Sequence, residues 1–216
     1  MRRWKDETLF PLGEADKLGQ KLAAEINAKM IGRIGGASSE HGVLAQMVHN
    51  AGDGNHLEFG TTFGGSAILA GLIKEHYGLR GKVVCVDAMK GYHGNPDPVC
   101  GMMASEQIFH ENVEQFGLEK RIELIVGEST NADLEHLGVF TSGSITGGHD
   151  FHSVAKDWNR MKGMVGRYVL FGNYYRANRG VGEVVRIANE ERDWRCVLIY
   201  GISALFERIE YGFHTE

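Results

Sequence analysis

The sequence predicts an α/β fold: a doubly wound, mostly parallel sheet with one antiparallel strand and helices on both faces. Three observations carry this. From Asn55 onward, short apolar strands alternate with helical segments, the pattern of βαβ units. A glycine-rich loop, Glu58-Phe59-Gly60-Thr61-Thr62-Phe63-Gly64-Gly65-Ser66, joins the first of these strands to a helix. The last two strands are too close in sequence for a parallel crossover, which needs about a dozen residues, so one of them must run antiparallel.

The elements follow in order. Leu18, Leu22, Ile26, Met30 and Ile34 recur every fourth residue and predict an amphipathic helix over 14–34, ended by Gly35-Gly36. Ser38-Ser39-Glu40 opens a second helix that reaches Asn50. Strands are then expected at 56–59, 82–87, 121–126, 140–145 and 167–171, and a closing pair at 196–200 and 203–209. Helices are expected at 66–77, 105–116, 153–164 and 180–191. No internal repeat or low-complexity linker divides the chain. Residues 1–37 read as an N-terminal helical extension or lid, and 38–216 as the ligand-binding domain.

The 216 residues fit one domain with such an extension. The net charge is −5 and no basic stripe stands out, which argues against nucleic acid and leaves a small molecule as partner. Cys85, Cys100 and Cys196 are odd in number and widely spaced, so a reduced, cytoplasmic protein is expected rather than a disulfide framework or zinc site. The start, Met1-Arg2-Arg3-Trp4-Lys5-Asp6-Glu7, has no apolar run behind its charges, unlike a signal peptide. No stretch approaches the roughly 18 apolar residues of a membrane span. The N-terminal helix leaves room for a homo-oligomer.

The loop carries the functional reading. Gly60 lets the chain turn tightly and approach a ligand, and Gly64-Gly65 lets the next helix start close to the strand. Free N–H groups at that start favour a carboxylate or phosphate. Asp87 ends the next strand, where an acidic side chain accepts from ribose hydroxyls. Dinucleotide spacing, G-x-G-x-x-G, would need a glycine where Thr62 stands, which disfavours a nicotinamide oxidoreductase. Glu58, two residues before Gly60, suits an amino-acid-bearing ligand because it can face an ammonium group.

These stretches, with Val83–Gly91 and Asn112–Gly117 followed by Arg121–Ser129, resemble the class I S-adenosylmethionine-dependent methyltransferases. More narrowly they resemble the small-molecule O-methyltransferases of methyltransferase family 24, which are similar to catechol O-methyltransferase. The likeness runs from about Ser38 to Ile209. It implies a seven-stranded Rossmann-like sheet with S-adenosylmethionine as cofactor. Glu58, Gly60, Thr61 and Ser66 would surround its methionine end. Asp87 would hold the ribose, with Ala88 and Met89 beside the adenine and Gly127, Glu128 and Ser129 on the far side. Ser129 also fits as the N-cap of a helix over 131–136.

The acceptor half departs from the family. Where relatives carry an Ile-Asp-Gly-Asp-His run after the fourth strand, this chain has Ile145-Thr146-Gly147-Gly148-His149. Where they carry an acidic or amide pair after the fifth, it has Gly172-Asn173. Those positions hold a divalent metal in metal-dependent members. Here they offer no carboxylate, so a divalent metal is doubtful and no metal ligand is assigned. An acceptor hydroxyl would then need a positioned base. His149 is the expected base, oriented by Asp150 or a backbone carbonyl, with Asn173 as the second catalytic candidate; Asp157 and Trp158 read as structural. Tyr92, His93, Tyr174, Tyr175 and Arg176 are expected acceptor contacts. The leading expectation is metal-free methyl transfer to a hydroxyl, or an amine, of a small molecule. The alternative is a degenerate methyltransferase fold that binds cofactor or a partner without turnover.

Overall fold

A computed structural model of the chain describes residues 9–91, 94–174 and 179–209. Its seven strands are β1 Asn55–Phe59, β2 Val83–Asp87, β3 Ile122–Val126, β4 Phe140–Ile145, β5 Val165–Phe171, β6 Trp194–Tyr200 and β7 Ser203–Arg208. They form one sheet in the order β3-β2-β1-β4-β5-β7-β6. Neighbouring pairs from β3 to β5 are parallel, whereas β7 is antiparallel to both β5 and β6. The doubly wound sheet expected from the sequence is therefore present, and β7 is its reversed strand. The chain winds outward from β1 in one direction and from β4 in the other. That switch opens a crevice at the carboxyl ends of β1 and β4, where open α/β sheets bind ligands.

Helices cover both faces: α1 Glu14–Lys29, α2 Ser38–Ala51, α3 Gly65–His76, α4 Glu106–Gln115, α5 Phe151–Met164 and α6 Arg179–Ala188. Alternation along the strands separates two cores. Val83 and Cys85 join the apolar cluster under α1 to α4, and Val84 and Val86 join the one under α5 and α6. In the second core Trp158 meets Phe171, Trp194 and Phe206 at ring separations of 5.3, 5.3 and 5.9 Å. Aromatic pairs of this kind add about 0.5–1.5 kcal/mol each beyond their buried area. Among the described residues, no helix is long and apolar enough to cross a membrane.

Two expectations change. Helix α1 stops at Lys29, not at 34, because Asn112 of α4 takes over the backbone beyond it. The fully buried Asn112 amide accepts from Ile31 N–H at 2.7 Å and donates to Ile31 O and Phe63 O at 2.9 Å each. Met30 and Ile34 are still buried, but from an irregular, non-helical segment. The inward face of α1 is also different: Ala15, Gly19 and Ala23 are buried alongside Ile26, and Gly19 packs on Ala45 of α2 so closely that a Cβ would overlap it. Leu18 and Leu22 flank this contact and are only partly buried. The described part of the 1–37 segment thus lies against α2, α3 and α4. The second change is at 131–136, where no α-helix forms; only a short 3-10 turn over Glu135–Leu137 is present.

Candidate functional site

Three loops meet at the crevice, following β1, β2 and β5, and each contains one non-glycine residue with left-handed backbone: Thr62 (φ 53°), Met89 (φ 52°) and Asn173 (φ 56°). Such residues are uncommon, and they cluster at ligand sites because the surrounding structure must hold them in place. For the first two loops the holding group is Asp87. Its Oδ2 accepts from Thr61 N–H at 2.8 Å and Thr62 N–H at 2.9 Å, and its Oδ1 accepts from Met89 N–H at 2.8 Å. The Thr61 and Thr62 amides of the glycine loop are therefore already bound to the chain's own carboxylate. Asp87 still borders the cleft, and each carboxylate oxygen can accept more than one hydrogen bond.

Gly60 has φ +85°, and a Cβ there would overlap Gly147 Cα. The close approach that requires glycine is thus made by the β4 loop as well as by any ligand. Two openings flank this contact and share Gly60, Thr62 and Thr146 in their walls. The larger, about 570 Å3, lies towards β2 and β3 and is bordered by Asp87, Ala88, Gly127, Glu128 and Ser129. The smaller, about 150 Å3, lies towards α2 and is bordered by Glu58, Thr61, Ser66, His149 and Asn173. Gly60 lies on both walls, whereas Met89, expected beside the adenine, and Tyr174, expected as an acceptor contact, line neither opening. Of the expected acceptor contacts, Tyr92, His93, Tyr175 and Arg176 lie outside the described residues.

Glu58 is fully buried on β1. Its Oε1 accepts from Ser66 Oγ at 2.9 Å and its Oε2 from Ser144 Oγ at 3.3 Å. Behind Ser144 stands His56, with Nε2 3.3 Å from Ser144 Oγ and Nδ1 2.9 Å from Ser142 Oγ. Burial holds the His56 ring neutral, with its pKa down at about 3. Since the Ser144 hydrogen points at Glu58, His56 must donate through Nε2 and accept from Ser142 at Nδ1. This buried polar chain ends on Glu58, whose own carboxyl is pushed up to about 7 by burial, against the lowering effect of the hydroxyls around it. An ammonium brought to this carboxylate would offset that burial cost.

On the opposite wall, Ser129 is no N-cap: its hydroxyl donates to Asp157 Oδ1 in α5. Asp157 borders the larger cleft, and burial raises its carboxyl to about 6. Lys90 and Glu128 form an exposed ion pair of 3.1 Å between the loops after β2 and β3. Asp150 caps α5, accepting from Ser153 N–H at 3.0 Å. At the positions read in the sequence for metal ligands, Thr146 Oγ1 donates to Gly60 O at 2.6 Å, and Gly148 and Gly172 have no side chain. The donor set does not fit a divalent cation.

Sequence reasoning missed Glu40, Asp157 and the Arg33–Asp97 pair. Glu40 is buried in α2 at the smaller cavity; its Oε2 accepts from Asn173 N–H at 3.2 Å, and burial raises its carboxyl to about 7. Arg33 Nε donates to Asp97 Oδ1 at 2.9 Å on the rim of the same cavity. A signal existed for two of these. Glu40 shares a helical ridge with Val43, Leu44 and Met47, and Asp157 shares one with Val154, Trp158 and Met161. A carboxylate on an apolar ridge is either misplaced or used.

This sheet order, the loop after β1 and the acidic end of β2 together define the class I methyltransferase fold, and known structures agree. The chain superposes on an O-methyltransferase from Bacillus cereus solved in complex with SAH at a TM-score of 0.62 and 17% identity, covering 94% of this chain and 93% of that one. The O-methyltransferase NovP gives 0.65 at 17% identity over 78% of both chains. TomG of Streptomyces achromogenes, an O-methyltransferase involved in tomaymycin synthesis and solved with SAM, gives 0.61 at 12% identity over 94% of this chain and 92% of that one. No protein-family model matches the chain, and no curated protein sequence does.

Proposed function

We propose that the chain binds S-adenosylmethionine across its two openings and transfers the methyl group to a hydroxyl, or an amine, of a small molecule. One arrangement carries this reading. Two carboxylates, Glu58 and Asp87, stand at the ends of adjacent parallel strands on either side of Gly60, one at each opening. A ligand with an ammonium at one end and ribose hydroxyls in its middle satisfies both. Glu58 and Ser66 would hold the amino-acid end, Asp87 the ribose, and Ala88, Gly127, Glu128 and Ser129 would enclose the adenine. Asp157 supports that far wall through Ser129. The structural neighbours solved with SAH or SAM point the same way.

When bound, the cofactor supplies an electrophilic methyl group on a sulfonium. The residues around it must then exclude water and accept the acceptor's proton. His149 and Glu40 both border the smaller cavity where this would occur. The acceptor half, lacking the family's metal ligands, also leaves the second reading open: a fold that binds cofactor without turnover.

Calorimetry with S-adenosylhomocysteine tests the shared part, and failure to bind at millimolar ligand sinks both readings. Product release across a panel of phenols, sugars and amines, with and without EDTA, then separates them. A rate that EDTA abolishes would show that the Thr146, Gly148 and Gly172 region was misjudged.

A further inference from the structure

We propose that Glu40 is the group that receives the acceptor's proton, an assignment that rests on the methyl-transfer reading above. The argument begins with space. Oε1 of Glu40 lies 2.6 Å from where a Cβ on Gly36 would stand and 3.0 Å from one on Gly172. Thr146 Cγ2 would lie 2.9 Å from that same Gly172 Cβ. Gly172 has no side chain, and the carboxyl of Glu40 reaches into the room it leaves. The acceptor half therefore has a carboxylate after all, supplied by α2 instead of by the loops after β4 and β5.

The other carboxyl groups of this region are already engaged. Glu58 is bonded to Ser66 and Ser144. Asp97 holds Arg33 and two loop amides. Asp150 caps α5. Glu40 uses Oε2 to accept from Asn173 N–H, which fixes the carboxyl plane and leaves Oε1 in the gap between Gly36 and Gly172. It borders the same cavity as Glu58, Thr61 and Ser66, so a methyl group carried past Ser66 arrives beside it.

In the step itself, the acceptor X–H proton passes to Glu40 Oε1 and the X–H electron pair forms the X–C bond. The C–S bond breaks with its pair remaining on sulfur, so the sulfonium becomes a neutral thioether. The proton on Glu40 returns to solvent after product leaves.

The test uses the full-length protein, the acceptor identified by the panel, and the variants E40Q, E40A and H149A. Glutamine keeps an oxygen for the Asn173 N–H but is no base, so it separates proton transfer from positioning. The expected result is that E40Q and E40A both lose about 100-fold or more in kcat. In E40Q, calorimetric affinity for S-adenosylhomocysteine, and acceptor affinity for that complex, should both stay within about threefold, since neither depends on the proton step. An active E40Q overturns the assignment. So does slow turnover in E40A alone, which would make Glu40 only a support for Asn173. Loss in H149A with E40Q intact would give the role to His149. If the wild type binds S-adenosylhomocysteine but methylates nothing, the methyl-transfer reading falls and the assignment with it. If wild type and E40Q turn over alike, only the assignment falls.

Discussion

Asp87 and Thr62 are joined through the backbone: the Asp87 Oδ2 accepts from the Thr62 N–H at 2.9 Å, and Thr62 sits at φ 53°. The other carboxylate oxygen takes the N–H of Met89, at φ 52°, from 2.8 Å. One side chain thus holds two left-handed residues in two different loops. Each such residue costs on the order of 1–3 kcal/mol, so the clamp and the strain belong together. A ribose placed on Asp87 would meet a carboxylate that is already fixed in direction.

Replacing Asp87 should therefore act on stability as well as on binding. Asp87→Ala removes three hydrogen bonds to a charged group, each worth about 1.5–3 kcal/mol, with the lower end apt for a half-buried site. Relief of the strain at Thr62 and Met89 offsets part of this, and a net loss of about 3 kcal/mol lowers Tm by roughly 6–12 °C in a chain of this size. S-adenosylhomocysteine affinity should fall at least about tenfold, one lost ribose bond being worth near 1.4 kcal/mol. Thermal unfolding and calorimetry read the two effects separately. An unchanged Tm would show that the clamp is idle, and an unchanged Kd that Asp87 does not hold the ligand.

Glu58 predicts opposite pH trends for stability and for binding. Its folded pKa, about 7, lies above the ordinary 4.5, with burial as the main cause and the Asp87 charge adding to it. Between these values the folded protein keeps a proton that the unfolded chain releases. Stability from this group is full below 4.5 and falls as pH rises to 7, by at most about 3 kcal/mol. An ammonium needs the ionised form, so ligand affinity should rise over the same interval and level off above it. Calorimetry across this window in wild type and Glu58→Gln checks this. Glu40 shifts in the same direction, so the quantity to compare is the difference between the two proteins. A wild-type affinity that stays flat from about pH 5 to 8 would remove Glu58 from the ammonium site.

Much of the fold was legible because strands and helices declare themselves locally. Val83 to Val86 is a buried run, and the short gap between Tyr200 and Ser203 forced the reversed strand. What was hidden depends on partners distant in sequence. The leucine ridge of α1 looked like its packing face, yet Gly19 packs against Ala45, and nothing within α1 shows that a small-residue partner awaits it. Asn112 ends α1 from α4, a contact 81 residues away. The end of β2 at Asp87 was readable, but its grip on the Thr61 and Thr62 amides appears only when β1 and β2 are paired. Glu40, in the run Ser38-Ser39-Glu40, read only as the start of a helix. Its burial follows from where the loop after β5 comes to rest.

Gly60 and Gly117 offer a controlled comparison. Both have positive φ, +85° and +68°. Around Gly117 a Cβ would meet open space, whereas at Gly60 it would overlap the Gly147 backbone. Gly117→Ala should cost about 1–2 kcal/mol, the price of a left-handed alanine alone. Gly60→Ala must also push apart the loops after β1 and β4, so a loss above about 3 kcal/mol is expected. Denaturant unfolding of the two variants decides this, and equal losses would mean that the Gly60–Gly147 contact yields easily.

Asp97 and Arg33 tie the segment before α2 to the loop before α4, and their pairing should be visible at low pH. Asp97 Oδ1 accepts from Arg33 Nε at 2.9 Å, from Val99 N–H at 2.8 Å and from Cys100 N–H at 3.0 Å. The Arg33 bond foremost, and the two amides with it, hold this carboxyl well below the usual range. The folded value lies below the unfolded one, so the stabilisation is present above about pH 4 and is lost as pH falls beneath it. Asp97→Ala should cost about 2–4 kcal/mol at neutral pH, because Asp97 is buried and its charge is well matched. Arg33→Ala should cost less, about 1–2 kcal/mol, since both amide bonds to the carboxylate survive. Urea unfolding of wild type and Asp97→Ala should show a gap that holds from neutral to about pH 4 and narrows as the buffer is taken below that, towards about pH 2. A gap that stays constant would mean that the loss comes from packing around position 97 and not from the carboxylate. Both residues stand on the rim of the smaller cavity. Loosening them should therefore weaken S-adenosylhomocysteine binding along with stability, and a variant with reduced stability but full affinity would show that this tie supports the fold without shaping the site.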